Sequence, residues 1–267
     1  MREITKRIDI NLGYSCNARC TFCYYLEDVK ARNKDKDLTT EEARNLIKFL
    51  RNCGMETLEF TGGEPTIRRD LIELAKFAQN EVGFENLSII TNGINTANFD
   101  YARKLVEAGI KDYLFSIHGP NATIHDKVTG VPGSFDKLMK SIDNLKSLEV
   151  KIRCNSVISK TTINTIYQTA QLLCTKSIPI VNFIMFNPIE QAIKYTEENI
   201  VSYSQSATVF RKIADDFAKD FTKLTFRYIP LCLMEGYEKY VQNVHQVHFD
   251  HDEWNYLIRA KVREPFW

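Results

Sequence analysis

Six times along this chain a short apolar run of period two is followed by a longer run of period 3.6. That alternation is the strongest limit on what the chain can fold into. Strands are expected over 8–13, Thr57–Thr61, 87–91, 113–117, 150–158 and 180–186. Helices are expected over 39–53, where Thr39 and Glu42 form a capping-box pair, then after Asp70, around Ala102, Leu105 and Val106, after a Ser134 cap, around Ile163, Ile166, Tyr167 and Ala170, and over 203–219. Repeated strand–helix units imply an α/β fold, with a parallel sheet and helices outside it. Six units fall short of a complete eight-stranded barrel, which leaves a partial barrel or a doubly wound sheet. Either places its chemistry at the C-terminal ends of the strands. The alternation fades near residue 226, so the chain divides into a core of 1–225 and an appendage of 226–267.

Composition narrows the function classes. Lys and Arg number 35 against 34 Asp and Glu, for a net charge of +1. Such a balance does not mark a bulk nucleic-acid binder. No apolar run approaches the length of a membrane span, and the first residues carry no signal-peptide core, so a cytoplasmic protein is expected. Seven cysteines, an odd number in a chain of 267 residues, do not suggest a disulfide framework.

Three of those cysteines, Cys16, Cys20 and Cys23, fall within eight residues as CNARCTFC, just after the first expected strand. A closed zinc site needs four ligands, and no fourth Cys or His lies nearby. A redox pair at Cys20 and Cys23 leaves Cys16 unexplained. Three thiolates suit a cubane iron–sulfur cluster with one iron open to another ligand.

CNARCTFC, followed by GGEPT at Gly62–Thr66 after the second strand, resembles the two motifs of radical S-adenosylmethionine enzymes in their usual order. The resemblance covers roughly residues 8–190. It implies a partial (β/α)6 TIM-like barrel in which Cys16, Cys20 and Cys23 hold a [4Fe–4S] cluster. It further implies that S-adenosyl-L-methionine chelates the fourth iron, and that reductive cleavage yields a 5′-deoxyadenosyl radical that abstracts hydrogen from substrate. A one-electron donor such as flavodoxin or ferredoxin is then required.

The same resemblance implies cofactor contacts from Phe22, Gly62, Gly63, Glu64, Ser116, Asn155 and Met185. Gly62 and Gly63 permit close backbone approach, and Glu64 offers a carboxylate to the methionine ammonium. Phe22 matches an aromatic that packs near adenine. Ser116 lies in FSIHG, where His118 stands in place of the family's usual Asp. SIHGPNATIHDKVTGVPGSF is similar to a segment of relatives acting on peptides or cofactor precursors, and that is the substrate class expected. A small metabolite, or a non-catalytic iron–sulfur protein for electron transfer or sensing, are the alternatives. No catalytic acid, base or second hydrogen donor is assigned.

Other features read as structure. Thr91, Asn92 and Gly93 read as a turn, residues 27–37 as a solvated loop, and Cys53, Cys154 and Cys174 as core. His245, His248 and His251 read as a polar stretch. Cys232 alone cannot complete a second cluster, so a single cluster is expected.

Overall fold

The structure, a computed structural model, describes residues 6–31, 37–188 and 190–242. Among the described residues seven strands form one parallel sheet in sequential order. They are β1 (Arg7–Asn11), β2 (Thr57–Thr61), β3 (Asn86–Thr91), β4 (Ile110–Ser116), β5 (Lys151–Ile158), β6 (Ile180–Met185) and β7 (Lys223–Arg227). β1 and β7 end the sheet without pairing to each other, so it curves as a half-barrel. The helices are α1 (Leu26–Ala31), α2 (Thr40–Asn52), α3 (Leu71–Lys76), α4 (Phe99–Glu107), α5 (Ala122–Thr129), α6 (Ser134–Ser147), α7 (Ile166–Thr175), α8 (Thr196–Asn199) and α9 (Tyr203–Phe217). Among the described residues no helix is long and apolar enough to cross a membrane.

Period two sorts the strand side chains between two faces. Ile8 and Ile10, Leu58 and Phe60, Tyr113 and Phe115 are fully buried in the main apolar core, with Ala43, Ile47 and Leu50 of α2 and Leu138, Ile142 and Leu145 of α6. The opposite face carries the polar Asp9, Glu59, Asp112 and Arg153 together with the buried Leu114. Arg153 on β5 bonds Asp112 on β4 and Glu59 on β2, both at 2.6 Å. Arg7 on β1 also pairs with Glu59. A contact from β5 to β2 passes over two intervening strands, so this charged layer crosses the concave face. Burial pushes the Glu59 carboxyl up, but the Arg7 and Arg153 guanidiniums outweigh it and hold it down at about 2.

The local signals act as written at α2. Thr39 accepts from the Glu42 N–H, and the Glu42 carboxylate accepts from the Thr39 N–H. Elsewhere the structure departs from the sequence reading. Gly133, not Ser134, caps α6; the Ser134 hydroxyl instead donates to Asp126 at 2.8 Å. Cys53 caps α2 at its C-terminal end, past the last buried position Leu50, and is exposed rather than core. The charged stretch from residue 27 is not simply a solvated loop. It opens with α1, where Asp28 is buried against Gln191.

The seventh strand lies outside the six that the sequence pattern marks. KLTFR offers only Leu224 and Phe226 to the core, too few for a periodicity to register. It is held by ring packing: Phe226 lies 4.4 Å from Phe210 of α9 and 6.0 Å from Phe183 of β6.

Candidate active site

A cavity of about 400 Å3 opens at the C-terminal ends of the strands. Cys16, Cys20, Phe22, Cys23, Gly62, Gly63, Glu64, Ser116, Asn155 and Met185 all line it. These are the residues singled out for cluster and cofactor. His118, Thr91 and Asn92 line it as well. Its size suits a small-molecule cofactor.

The two motifs meet through their backbones. Gly63 N–H donates to Gly13 O, and Glu64 N–H to Ser15 O, both at 2.8 Å. A Cβ at Gly63 would stand 2.2 Å from Ser15 O, and one at Gly62 would stand 2.5 Å from Gly13 O. Gly62 also has φ +137°, which L side chains rarely adopt. The glycines therefore admit the chain that leads into Cys16.

Further contacts hold the cysteine loop from three directions. Arg19 and Thr21 N–H groups donate to Thr129 O and Val128 O at the end of α5, at 2.8 and 3.1 Å. Asn92 Nδ2 donates to Asn17 Oδ1 at 2.7 Å. Asn199 Nδ2 donates to Thr21 O at 3.0 Å. Gln191 accepts from the Glu27 and Asp28 N–H groups that begin α1 and donates to the Asp28 carboxylate.

The thiols share one environment. Ala18 N–H and Tyr25 N–H each lie 3.4 Å from a cysteine sulfur, Cys16 and Cys23 respectively. Burial pushes the Cys16 thiol up to about 12, with Glu64 adding to the shift. Burial raises Cys20 too, reinforced by Cys23 and Cys16. Such thiols ionise only against a bound positive centre, as metal ligation supplies. Among the described residues no three Cys, His, Asp or Glu side chains converge on a single ion. A cubane cluster takes one thiolate at each of separate iron corners, so its ligands stand further apart than those of one ion. The all-thiol donor set and a cavity open beside it fit such a cluster.

Glu64 is buried and densely bonded. Its Oε1 accepts from Thr66 N–H at 3.1 Å, Thr66 Oγ1 at 2.6 Å and Thr91 Oγ1 at 2.7 Å; Oε2 accepts from Asn92 N–H at 2.8 Å. Burial pushes the pKa of the Glu64 carboxyl up from the ordinary carboxylate value, and these four bonds oppose the rise. Oε1 is filled, while Oε2 keeps acceptor capacity. Thr91 and Asn92 thus do more than turn the chain. Only their position at a strand end hinted at it.

Along the far wall Ser116 ends β4 and pairs in register with Asn155 of β5, which pairs with Asn182 of β6. Asn182 lies 2.7 Å from Asn155, and Thr225 of β7 bonds Asn182 in turn. Phe22 packs edge-on against His118 at 4.6 Å. His125 is fully buried behind it. Cys154 is buried, Cys174 half-buried and Cys232 exposed, each away from the cavity. His245, His248 and His251 lie outside the described residues.

Comparison with known proteins agrees with this architecture. The family model described as the radical SAM superfamily matches residues 10–173. The chain is 34% identical over 174 residues to the Fe-coproporphyrin III synthase of Methanosarcina barkeri, covering 65% of this chain and 42% of that protein. It is 30% identical over 206 residues to the molybdenum cofactor biosynthesis protein moc-5 of Caenorhabditis elegans, covering 77% of this chain and 33% of that one. The chain thus spans less than half the length of either relative. Among solved structures, Streptococcus suis SuiB bound to S-adenosylmethionine aligns with TM-score 0.64 and 18% identity, over 84% of this chain and 50% of that one. The anSMEcpe structure with bound AdoMet and Cp18Cys peptide aligns with TM-score 0.66 and 20% identity, over 83% and 63%. With a family match across most of the sheet and both motifs on one cavity, the chain belongs to the radical SAM superfamily.

Proposed function

We propose that this chain cleaves S-adenosyl-L-methionine reductively and abstracts hydrogen from a peptide or a cofactor precursor. One observation carries the reading: three cysteine thiols and the Glu64 carboxylate line the same cavity at the strand ends. Cys16, Cys20 and Cys23 would hold the cluster. When bound and reduced by a flavodoxin- or ferredoxin-like donor, it supplies the electron that breaks the sulfonium C–S bond. Glu64 Oε2 would accept from the methionine ammonium, while Phe22 and Met185 bound the nucleoside and Ser116 and Asn155 bond its polar atoms. The half-barrel walls would shield the bound cofactor and substrate from water. The names of the relatives, one a coproporphyrin enzyme and one a molybdenum cofactor protein, favour a cofactor precursor. The fold neighbour with a bound peptide keeps the peptide in the proposal.

Anaerobic reconstitution should load about four irons per chain. With S-adenosylmethionine and a one-electron reductant, the loaded protein should form 5′-deoxyadenosine. Cys20→Ala should abolish both while the fold persists. A Cys20→Ala protein with normal turnover would overturn the cluster assignment.

A further inference from the structure

We propose that His118 donates a hydrogen bond to the nucleoside half of bound S-adenosylmethionine, a proposal that rests on the cofactor reading above. The Val157 backbone N–H donates to His118 Nδ1 at 3.2 Å. A backbone N–H can only donate, so Nδ1 carries a lone pair and the ring proton sits on Nε2. An imidazolium would set two N–H donors against each other. Burial, with His125 adding to it, also holds the pKa of the ring well below its ordinary value. The side chain is therefore a neutral donor.

No residue among those described accepts from that Nε2 proton, although the residue is only 2% exposed and lines the cavity. His125 Nε2 is a fully buried atom without a partner and His118 Nε2 is not, so the His118 donor opens onto the cavity, where a ligand or an ordered water can accept from it. The orientation is held from two sides. The His118 backbone N–H donates to His125 Nδ1 at 3.1 Å, and Phe22 packs on the ring. His125, with its own Nε2 buried, does not line the cavity.

Position selects the half of the ligand. His118 follows the end of β4, and Glu64 follows the end of β2, two strands away. Neighbouring strands lie about 4.8 Å apart, which puts His118 roughly 10 Å from the carboxylate pole. It stands instead beside Phe22, Ser116 and Asn155. Ribose hydroxyls and adenine ring nitrogens both offer lone pairs that such a donor can meet.

The test is equilibrium titration of the reconstituted protein with S-adenosylmethionine and with 5′-methylthioadenosine, which keeps the nucleoside and lacks the amino acid. His118→Phe keeps a planar ring and removes the donor. It should weaken both ligands by the same factor, about tenfold for one lost hydrogen bond to ligand. Iron content should stay at the wild-type value. His118→Asn keeps an N–H donor and should recover part of the loss. Unchanged affinity for both ligands in His118→Phe would overturn the proposal. Weakening of S-adenosylmethionine alone would overturn the nucleoside assignment. Wild-type protein that holds iron but binds neither ligand would remove the cofactor reading and this proposal together. Imidazole 15N spectra of the cluster-free protein give a readout independent of turnover. They should show the Nε2-protonated tautomer at His118, and a proton on Nδ1 would overturn the argument.

Discussion

The backbone N–H of Asn92 donates to Glu64 Oε2 at 2.8 Å, tying the end of β3 to the turn that follows β2. With Thr66 and Thr91 on Oε1, it leaves the carboxylate no freedom to rotate. Glu64 therefore braces two strand ends as well as facing the cavity.

That double role makes Glu64→Gln informative. The amide replaces one acceptor oxygen with a donor, which must then oppose an N–H or a hydroxyl that now donates to it. The variant should lose roughly 1–3 kcal/mol of stability in urea and weaken S-adenosylmethionine binding by a similar amount. Parallel unfolding and binding titrations separate the two. Unchanged values in both would show that the buried carboxylate is dispensable.

Gly63→Ala places a Cβ where Ser15 O stands, at 2.2 Å. Backbone cannot yield as a flexible side chain does, so the loop carrying Cys16 must shift. A cost of about 1–3 kcal/mol is expected, the range for forced overpacking. Iron retained after desalting should fall below wild type. Full retention would mean that the loop has slack at this contact.

Asn199→Ala removes the donor that bridges Thr21 O at 3.0 Å and Tyr195 O at 2.9 Å. Asn199 is 2% exposed, so water replaces it poorly. Loss of about 1–3 kcal/mol is expected locally. Amide exchange in the cysteine loop should quicken in cluster-free protein, read by mass spectrometry. Exchange unchanged around residues 19–24 would show that α5 and Asn92 hold the loop without Asn199.

Glu59 sets a pH dependence. Its folded constant, held at about 2, lies below an unfolded carboxylate near 4.3. Its contribution is complete above about pH 4.3 and is lost as the pH falls toward 2. Glu59→Gln should flatten the stability profile in that window. At neutral pH it should cost roughly 3–5 kcal/mol, because the Arg7 and Arg153 guanidiniums lose their shared carboxylate. An acid-unfolding profile identical to wild type would exclude Glu59 as its source.

Much of the fold, and the choice of most candidate site residues, rests on short-range patterns that residue order carries. Period-two runs mark β1 to β6, Thr39 and Glu42 mark the start of α2, and the spacing of Cys16, Cys20 and Cys23 is chemical in itself. Each is settled within a few residues by backbone sterics, hydrogen-bond geometry or ligand reach. What stayed hidden depends on partners far along the chain. Asn199 reaches Thr21 across 178 positions, and Arg153 reaches Glu59 across 94. β7 is a strand because Phe226 finds Phe210 and Phe183, not because KLTFR announces one. His118 is a neutral donor only because Val157 points its N–H at Nδ1. No local propensity encodes such a meeting. Closure of the sheet brings those groups within hydrogen-bond distance, and burial then fixes which of their bonds must be satisfied.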